Sequence, residues 1–274
     1  CGPREEVASI MTKSKIPAVI TMIGSTKSGK KVISESTTTI KKLGMELGGN
    51  APFIVFEDAD FDKAIDIGIG LKFGNSGQIC VAANRFLIEE TLHKRFISEY
   101  IERVKQLKLG FGFDENPDMG PMIDKRARDH MFELIQDALE KGAVLEYGGK
   151  IPENYDEGFW MEPTVLSNVT PNMRVFREEI FGPIAAFMTF NSDEEVLKLA
   201  NDTEFGLASY LFTNDHKRIQ RFSEELEFGE IQINGVKYAI YLPHGGIKES
   251  GIGHDCSHLA LDDYIVKKRI SAAL

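Results

Sequence analysis

Short apolar runs alternate with amphipathic stretches along the chain, and this alternation constrains the fold more than any other feature. Residues 18–23 and 51–56 read AVITMI and APFIVF, each the length of a single strand, and helical patterns lie between and beyond them. Apolar runs of this kind are typical of parallel strands that crossover helices bury on both faces. We therefore predict an α/β fold with a mostly parallel sheet.

The predicted elements continue this alternation as far as residue 234. Helices are predicted at 4–12, 27–43, 61–73, 92–107, 126–141, 193–201 and 216–225. Strands are predicted at 18–23, 51–56, 86–88, 143–147, 211–212 and 229–234, with a loop and a further strand within 175–190. Asp60 is predicted to cap the helix at 61–73, because an aspartate side chain accepts hydrogen bonds from the free N–H groups of a first turn.

The charge and the cysteine content exclude several classes of protein. A formal net charge of −10 argues against a nucleic-acid-binding protein, which needs a basic surface, and against binding to an anionic membrane. No apolar stretch reaches the length of a transmembrane helix. Three cysteines cannot build a disulfide framework, so we expect a reducing compartment and a cytoplasmic location.

A cysteine at position 80 follows an unusual turn. Residues 74–79 read GNSGQI, so two glycines and three polar side chains come directly before the Ile79-Cys80 pair. A free cysteine is only a few per cent thiolate at neutral pH, so a nucleophilic cysteine needs a base or a more acidic thiol. A purely structural cysteine needs no such surroundings. The turn therefore marks Cys80 as the candidate nucleophile.

Glu46 is the acid best placed in the sequence to assist such a thiol. It is followed by Leu-Gly-Gly, at the end of a predicted helix and before the buried strand at 51–56. Glycines let a backbone approach a ligand closely, and a carboxylate in a partly apolar crevice can act as a general base. On spacing alone, a solvated residue at a helix end is the simpler interpretation of Glu46.

Two further turns carry features of a ligand site. Residues 24–29 (GSTKSG) follow a predicted strand and open a helix, where backbone N–H groups and a hydroxyl suit a phosphate. Residues 178–183 (EEIFGP) form a polar and aromatic turn without an evident structural purpose.

Taken together, these segments resemble the aldehyde dehydrogenase superfamily. The resemblance rests on 46–49 (ELGG), 75–80 (NSGQIC) and 179–183 (EIFGP), in this order and spacing, and it extends from about residue 18 to the C-terminus. Other matching segments are 24–26 (GST), 120–121 (GP), 162–165 (EPTV), 200–208 (ANDTEFGLA) and 245–251 (GGIKESG). The resemblance implies an aldehyde dehydrogenase-like catalytic domain together with the C-terminal remnant of a Rossmann-type cofactor domain.

The resemblance also implies the NAD(P)-dependent oxidation of an aldehyde to its carboxylic acid. In that chemistry Cys80 attacks the aldehyde to form a thiohemiacetal, hydride transfer leaves a thioester, and Glu46 activates the water that hydrolyses it. The family's cofactor-binding positions correspond here to Gly24, Ser25, Leu47, Glu179 and Phe181. Glu179 resembles the residue that holds the nicotinamide ribose, and Phe181 resembles the one that packs against the nicotinamide. NAD and NADP both stay open, because the residues that distinguish them lie further upstream in the family.

Family members are much longer than this chain, and they carry their first Rossmann strands, an oxyanion asparagine and a cofactor lysine upstream of the 24–26 turn. We therefore expect residues 1–47 to be a remnant of the NAD(P)-binding domain, 48–250 the catalytic domain, and 251–274 a tail with an oligomerisation strand. A homodimer or homotetramer is expected, with residues 263–271 joining a neighbour's sheet; a local hairpin strand is the alternative. We also expect negligible NAD(P)+-dependent aldehyde oxidation by the chain alone.

Two classes of function remain at this point. One is an aldehyde dehydrogenase; the other is a truncated or catalytically silent family member that acts as a structural or oligomerisation subunit. The presence of Cys80, Glu46 and Glu179 at matching positions favours the enzyme. A fragment, an engineered piece, a split-gene product and a degenerate paralogue all stay open as the origin of the chain.

The substrate positions do not match one branch of the family. The general pattern suggests a succinate-semialdehyde or short-chain aldehyde dehydrogenase, but the arginine that semialdehyde enzymes carry six residues before the cysteine is Gly74 here, so a bidentate partner for a carboxylate is missing. His244 stands where the family usually has an aromatic residue of the substrate pocket. Betaine-type and simple aliphatic aldehydes therefore stay open beside succinate semialdehyde. No metal is expected, because residues 254–258 (HDCSH) have no second cluster to complete a site.

Overall fold

The computed structural model describes residues 2–113, 116–153, 155 and 157–273 of the 274-residue chain. Within these residues, no helix is both long and apolar enough to cross a membrane. The chain divides into two compact units, Cys1–Gly48 with Tyr238–Leu274 and Gly49–Lys237. We call them the first and the second unit; the assignment of cofactor and catalytic roles to the ranges expected above stays a prediction.

Helices and strands alternate as the sequence predicts. The helices are α1 (Arg4–Lys13), α2 (Thr26–Glu35), α3 (Phe61–Phe73), α4 (Glu90–Val104), α5 (Lys125–Glu140), α6 (Arg174–Arg177), α7 (Asp193–Asn201) and α8 (His216–Glu225). The strands are β1 (Val19–Ile23), β2 (Lys42–Glu46), β3 (Ala51–Val55), β4 (Ala83–Glu89), β5 (Val144–Tyr147), β6 (Thr164–Ser167), β7 (Ile184–Phe190), β8 (Phe205–Gly206), β9 (Ala208–Phe212), β10 (Glu230–Ile233), β11 (Ile247–Lys248) and β12 (Gly251–Ile252). The Asp60 cap is confirmed, because Asp60 Oδ1 accepts the backbone N–H of Lys63 at 3.2 Å.

The first unit contains a βαβ arrangement. Strands β1 and β2 pair in parallel, with α2 between them in the chain, and β12 pairs antiparallel with β2, which is therefore the central strand of three. The predicted helix at 27–43 is wrong beyond Glu35, where the chain passes through a 3₁₀ turn at Ser36–Thr38 into β2. The run of β-branched residues at 37–40 explains the early end, because such side chains lose rotamer freedom in a helix.

The C-terminal tail of the first unit has little regular structure. A 3₁₀ turn spans Leu259–Asp263, and residues 265–273 form neither helix nor strand. The alternative of a local hairpin strand at 263–271 is therefore wrong for this chain. Pairing of the same segment with a neighbouring subunit stays a prediction.

The second unit is a three-layer α/β/α structure. Its seven-stranded sheet has the order β10-β9-β3-β4-β7-β6-β5, and each neighbouring pair is parallel apart from the antiparallel pair β5 and β6. Successive residues of one strand point to opposite faces, so Ile54 joins the apolar cluster beneath α5, α7 and α8, while Phe53 and Val55 join the cluster beneath α3 and α4. Burial on both faces explains why these strands read as continuous apolar runs. The predicted α/β fold class with a mostly parallel sheet is confirmed.

Candidate active site

Three sequence motifs lie immediately before three adjacent strands of the second unit. Gly49 precedes β3, Cys80 precedes β4, and residues 179–183 precede β7. These strands are neighbours in the order β3-β4-β7 and run in parallel. Parallel neighbours begin at the same edge of a sheet, so segments that are far apart in the chain meet there. The candidate site of the second unit is thus built at the amino ends of the strands.

Gly49 contacts both of the other two motifs. Its backbone N–H donates to Oε1 of Glu179 at 2.9 Å. A Cβ atom added to Gly49 would lie 2.2 Å from the carbonyl oxygen of Cys80, a distance at which no side chain fits. Only glycine therefore allows the backbone at position 49 to approach the Cys80 backbone this closely.

The turn that leads to Cys80 adopts an unusual backbone conformation. Asn75, Ser76 and Gly77 have φ angles of 50°, 58° and 70°, all in the left-handed region. A Cβ on Gly77 would lie 2.2 Å from the carbonyl oxygen of Gly182. The Cys80 turn and the 179–183 turn are therefore in direct backbone contact, and Gly77 makes that contact possible.

Residues 120–123 hold the same turn from another side. The Ser76 hydroxyl donates to the carbonyl of Gly120 at 2.7 Å. The Gln78 side chain accepts the backbone N–H of Ile123 at 2.8 Å and donates to the carbonyl of Pro121 at 3.4 Å. The Gly120-Pro121 segment, identified from the sequence only as a matching motif, thus buttresses the turn that carries the candidate nucleophile.

The exposure of Cys80 and Phe181 fits contact with a ligand. Cys80 is half-buried and has no disulfide partner. Phe181 remains 41% exposed, although its sequence neighbours Ile180 and Gly182 are both buried. An aromatic ring exposed on a structured turn is available to pack against a planar group.

Lys72 is a buried cation beside this site that sequence reasoning missed. It lies in the last turn of α3 with 0% exposure, and its Nζ donates to Oδ1 of Asn84 at 2.8 Å and to the carbonyl of Ile180 at 3.3 Å. Burial lowers the pKa of Lys72 to about 7, and the charge of Glu179 acts in the opposite direction. The sequence signal that could have indicated this buried cation is the single lysine in the apolar segment 64–73.

Glu179 experiences the same low-dielectric surroundings. Burial raises the pKa of the Glu179 carboxyl, while the Gly49 N–H and the charge of Lys72 act to lower it. Burial therefore disfavours the charged form of both groups, and their mutual attraction partly offsets this effect. The protonation of Glu179 depends on Lys72 as well as on the solvent.

Arg85 is a second buried cation that organises the strand ends. Its guanidinium donates to the carbonyls of Asn50, Leu199 and Ala200, at distances from 2.8 to 3.1 Å. Burial lowers the pKa of Arg85 to about 9. These hydrogen bonds join the start of β3 to residues 199 and 200. They therefore place the family-matching segment 200–208 beside the start of a strand that carries the site.

The first unit holds Glu46 at the end of its central strand. Glu46 is the last residue of β2, not the end of a helix as predicted, and it is 7% exposed. Its carbonyl accepts the backbone N–H of Gly24 at 3.0 Å, which ties the strand to the Gly24-Ser25 turn. Because Glu46 is buried in the second strand of a βαβ arrangement, the interpretation as a solvated helix-end residue is wrong.

The Gly24-Ser25 turn opens α2 in the same unit. The Ser25 side chain accepts the backbone N–H of Ser28 and so caps the helix. A Cβ on Gly29 would lie 2.6 Å from the Leu47 side chain, so α2 packs closely on the end of β2. The Leu47 side chain is buried against this helix, and its predicted role in cofactor binding stays a prediction.

His244 lies against Glu46 within the first unit. The distance from His244 Nε2 to Glu46 Oε2 is 3.4 Å, with exposures of 26% and 9% for the two side chains. Glu46 also borders a cavity of about 340 Å³. The ionisable residues that line this cavity with it are His254, Asp255, Asp263 and Tyr264.

Glu46 and Cys80 belong to different units, so their predicted position in one cleft stays a prediction. Cys256 is exposed and unpaired with another cysteine, and Cys1 lies outside the described residues. In the part of the chain that the structure describes, no group of three or more His, Cys, Asp or Glu side chains is arranged to hold a metal ion.

Comparison with known proteins gives a consistent result. The sequence profile of the aldehyde dehydrogenase family matches residues 1–270. The chain is 43% identical to the mitochondrial succinate-semialdehyde dehydrogenase of Oryza sativa subsp. japonica, over 98% of this chain and 51% of that protein. It is 40% identical to the succinate-semialdehyde dehydrogenase (NADP(+)) GabD of Escherichia coli K12, over 100% of this chain and 56% of that protein.

A solved structure is also similar to this chain over nearly its whole length. A point mutant of the betaine aldehyde dehydrogenase of Staphylococcus aureus, in complex with NAD+, superposes with a TM-score of 0.94 at 35% identity, over 97% of this chain and 55% of that chain. The chain spans about half the length of the curated relatives that it matches. A family profile that covers nearly the whole chain, together with relatives of this similarity, shows that the chain belongs to the aldehyde dehydrogenase family.

Proposed function

We propose that this chain carries the catalytic residues of an NAD(P)-dependent aldehyde dehydrogenase, which oxidises an aldehyde to its carboxylic acid. The observation that carries the proposal is the meeting of Gly49, Cys80 and Glu179 at one edge of the second unit's sheet. The relatives and the solved structure reported above are named as dehydrogenases, which favours the enzyme over a silent structural subunit.

The proposed chemistry begins at Cys80. Its thiol gives its proton to solvent, the sulfur forms a bond with the aldehyde carbon as the carbonyl π bond opens, and the backbone N–H of Cys80 is the proposed donor to the resulting oxyanion. When bound, a nicotinamide would accept the hydride that leaves the former aldehyde carbon, and the substrate would then be held on Cys80 as a thioester. Glu46 then takes a proton from the water that attacks the thioester carbonyl, and the carbon–sulfur bond breaks to release the acid and regenerate Cys80.

The described residues fit a dinucleotide. The Gly24-Ser25 turn lies between β1 and the start of α2, where free N–H groups attract a pyrophosphate. The close packing at Gly29 is the kind that glycines allow between helix and strand in dinucleotide-binding βαβ units. In the second unit, Glu179 is the proposed partner of the ribose hydroxyls and the exposed ring of Phe181 that of the nicotinamide. NAD and NADP are both proposed, since the relatives carry each name.

Succinate semialdehyde is the substrate to test first, because both curated relatives reported above are named for it. Gly74 offers no guanidinium for its carboxylate, and a Cβ at this position would meet nothing within 4 Å. Betaine aldehyde and a short aliphatic aldehyde are therefore the comparison substrates. A homodimer or homotetramer and a cytoplasmic location remain predictions.

The proposal is tested on the purified chain with p-nitrophenyl acetate, whose hydrolysis needs the thiol but no hydride acceptor. We expect Cys80→Ala to abolish hydrolysis and Cys256→Ala, the matched control, to retain it. Mass spectrometry should find the acetyl group on Cys80. In the same preparations, we expect negligible aldehyde-dependent formation of NAD(P)H with the three candidate aldehydes, as predicted above for the chain alone.

Alkylation provides an independent measurement. Iodoacetamide should modify the half-buried Cys80 before the exposed Cys256, and because Cys256 is the more accessible thiol, this order would report reactivity instead of access. Hydrolysis that persists in Cys80→Ala, or faster labelling of Cys256, would show that the nucleophile has been misassigned.

A further inference from the structure

We propose that His244 is a positioning residue for Glu46, and that this histidine–carboxylate pair makes the hydrolytic step depend on pH. Nε2 of His244 lies 3.4 Å from Oε2 of Glu46, and both residues belong to the first unit. The catalytic meaning of the pair rests on the proposed function, whereas the contact itself does not.

The backbone of His244 is held by a bridge to Asp255. The N–H of His244 donates to the carbonyl of Asp255 at 2.8 Å, and the N–H of Asp255 donates back to the carbonyl of His244 at 2.6 Å. These two reciprocal hydrogen bonds form an isolated antiparallel bridge. Glu46 is fixed as well, because β12 pairs with the end of β2 at Gly251. The backbones of the two residues are therefore held by separate pairings, His244 by Asp255 and Glu46 by β12.

The chemistry of the pair differs with the charge of the imidazole. A protonated His244 places a positive charge beside the carboxylate, which keeps Glu46 ionised and oriented but makes it a weaker base toward water. A neutral His244 removes that charge while retaining a hydrogen-bonding nitrogen. The hydrolytic step should therefore accelerate as His244 loses its proton. The aromatic residue usual at this position in the family cannot titrate in this way.

Other charged groups act on the same pair. Asp255 is joined to His244 through the backbone bridge, and His254, Asp255 and Asp263 line the cavity that Glu46 borders. The acidic members favour the protonated imidazole, and the second histidine opposes it once charged. The decisive experiment must therefore change Glu46 alone and leave these neighbours in place.

The contact is tested by NMR titration of the imidazole signals of the full chain, with the His244 signal assigned by its loss in His244→Phe. We expect Glu46→Gln to move the midpoint of the His244 titration to lower pH by about one unit or more, because a facing carboxylate within 4 Å is lost. Glu35→Gln removes a carboxylate elsewhere in the same unit and should leave the midpoint unchanged. An unchanged midpoint in Glu46→Gln would overturn the proposal.

The catalytic consequence is tested by the rate of deacylation after a burst with p-nitrophenyl acetate. We expect the wild-type rate to show an inflection between about pH 6 and 8 that is lost in His244→Phe. His244→Asn can still hydrogen-bond but cannot titrate, so it should restore part of the rate without the inflection. A pH profile that is the same in wild type and in both variants would refute the role of His244.

Failure of the two proposals can be told apart. If Cys80→Ala still hydrolyses the ester, the proposed function is wrong, yet the shift of the His244 titration in Glu46→Gln would still establish the pair. If Cys80 is the nucleophile but Glu46→Gln leaves the His244 titration in place, only the proposed pairing is wrong.

Discussion

Replacement of Lys72 by methionine should change the pH dependence of stability in a direction that the structure specifies. The Lys72 ammonium is fully buried, and its pKa is lowered from 10.5 to about 7. The folded chain therefore binds fewer protons at this position than the unfolded chain between about pH 7 and 10.5. Stability contributed by this group must rise with pH across that window, and the full cost of the buried charge is present below it.

The magnitude follows from the size of the pKa shift. A shift of this size corresponds to about 5 kcal/mol at low pH, of which about 3 kcal/mol is relieved between about pH 6 and pH 9. Methionine fills a similar volume but leaves the Asn84 amide oxygen and the Ile180 carbonyl without this donor, which costs about 1–3 kcal/mol. We expect Lys72→Met to be about 2–4 kcal/mol more stable than wild type near pH 6 and nearly equal to it near pH 9.

The assay is urea unfolding followed by fluorescence of Trp160, the single tryptophan, which is fully buried in the same unit. Lys63→Met is the matched control, because Lys63 is an exposed lysine of the same helix, α3. It should shift the free energy of unfolding equally at both pH values. A stability difference between Lys72→Met and wild type that is the same at both pH values would refute the assignment of Lys72 as a buried, titrating cation.

Two further predictions concern glycines of the candidate site. Gly49→Ala must move the Cys80 carbonyl by more than about 1 Å to relieve a 2.2 Å contact, so we expect ester hydrolysis to fall about 100-fold or more, as measured by burst kinetics. Gly70→Ala is the control, because its added Cβ in α3 meets nothing within 4 Å; it should retain activity and gain up to about 1 kcal/mol in the free energy of urea unfolding. Equal activity of the Gly49→Ala and Gly70→Ala variants would contradict the close approach of Gly49 to the Cys80 carbonyl. Gly74→Arg supplies a guanidinium in open space, so the rate for a monoaryl succinate relative to an aryl acetate should rise about tenfold; an unchanged ratio would place the substrate carboxylate elsewhere.

Local pattern was sufficient to predict the fold class and most of the elements. Helices α3, α7 and α8 were predicted with their observed bounds, and the other long helices except α2 were found within a few residues. Most of the buried strands were also found, but the sequence predicted no strand at β6. This succeeds because apolar periodicity and capping residues act over one element at a time. The prediction failed at β2, where a good helical pattern before residue 36 concealed the change to a strand.

The family resemblance was also visible in the sequence, since the motifs are short segments that include glycines required by close backbone contacts. At Gly49 and Gly77, an added Cβ would lie 2.2 Å from a backbone carbonyl oxygen, so these positions require glycine. A site packed this closely can therefore be recognised from its glycine motifs. The sequence did not show which of these segments touch. That depends on the order of strands in the sheet, and strand order is a property of long-range packing.

The buried ionisable groups were decided by tertiary structure alone. In the sequence, Lys72 is a single lysine in the apolar segment 64–73, and only the approach of Asn84 and Ile180 from other elements shows it to be a partnered, buried cation. His244 read as a departure from the family, and only the bridge to Asp255 and the end of β2 place it beside Glu46. A residue's type and neighbours in sequence determine which element it joins, whereas its charge state and partners depend on groups that folding brings in from distant parts of the chain.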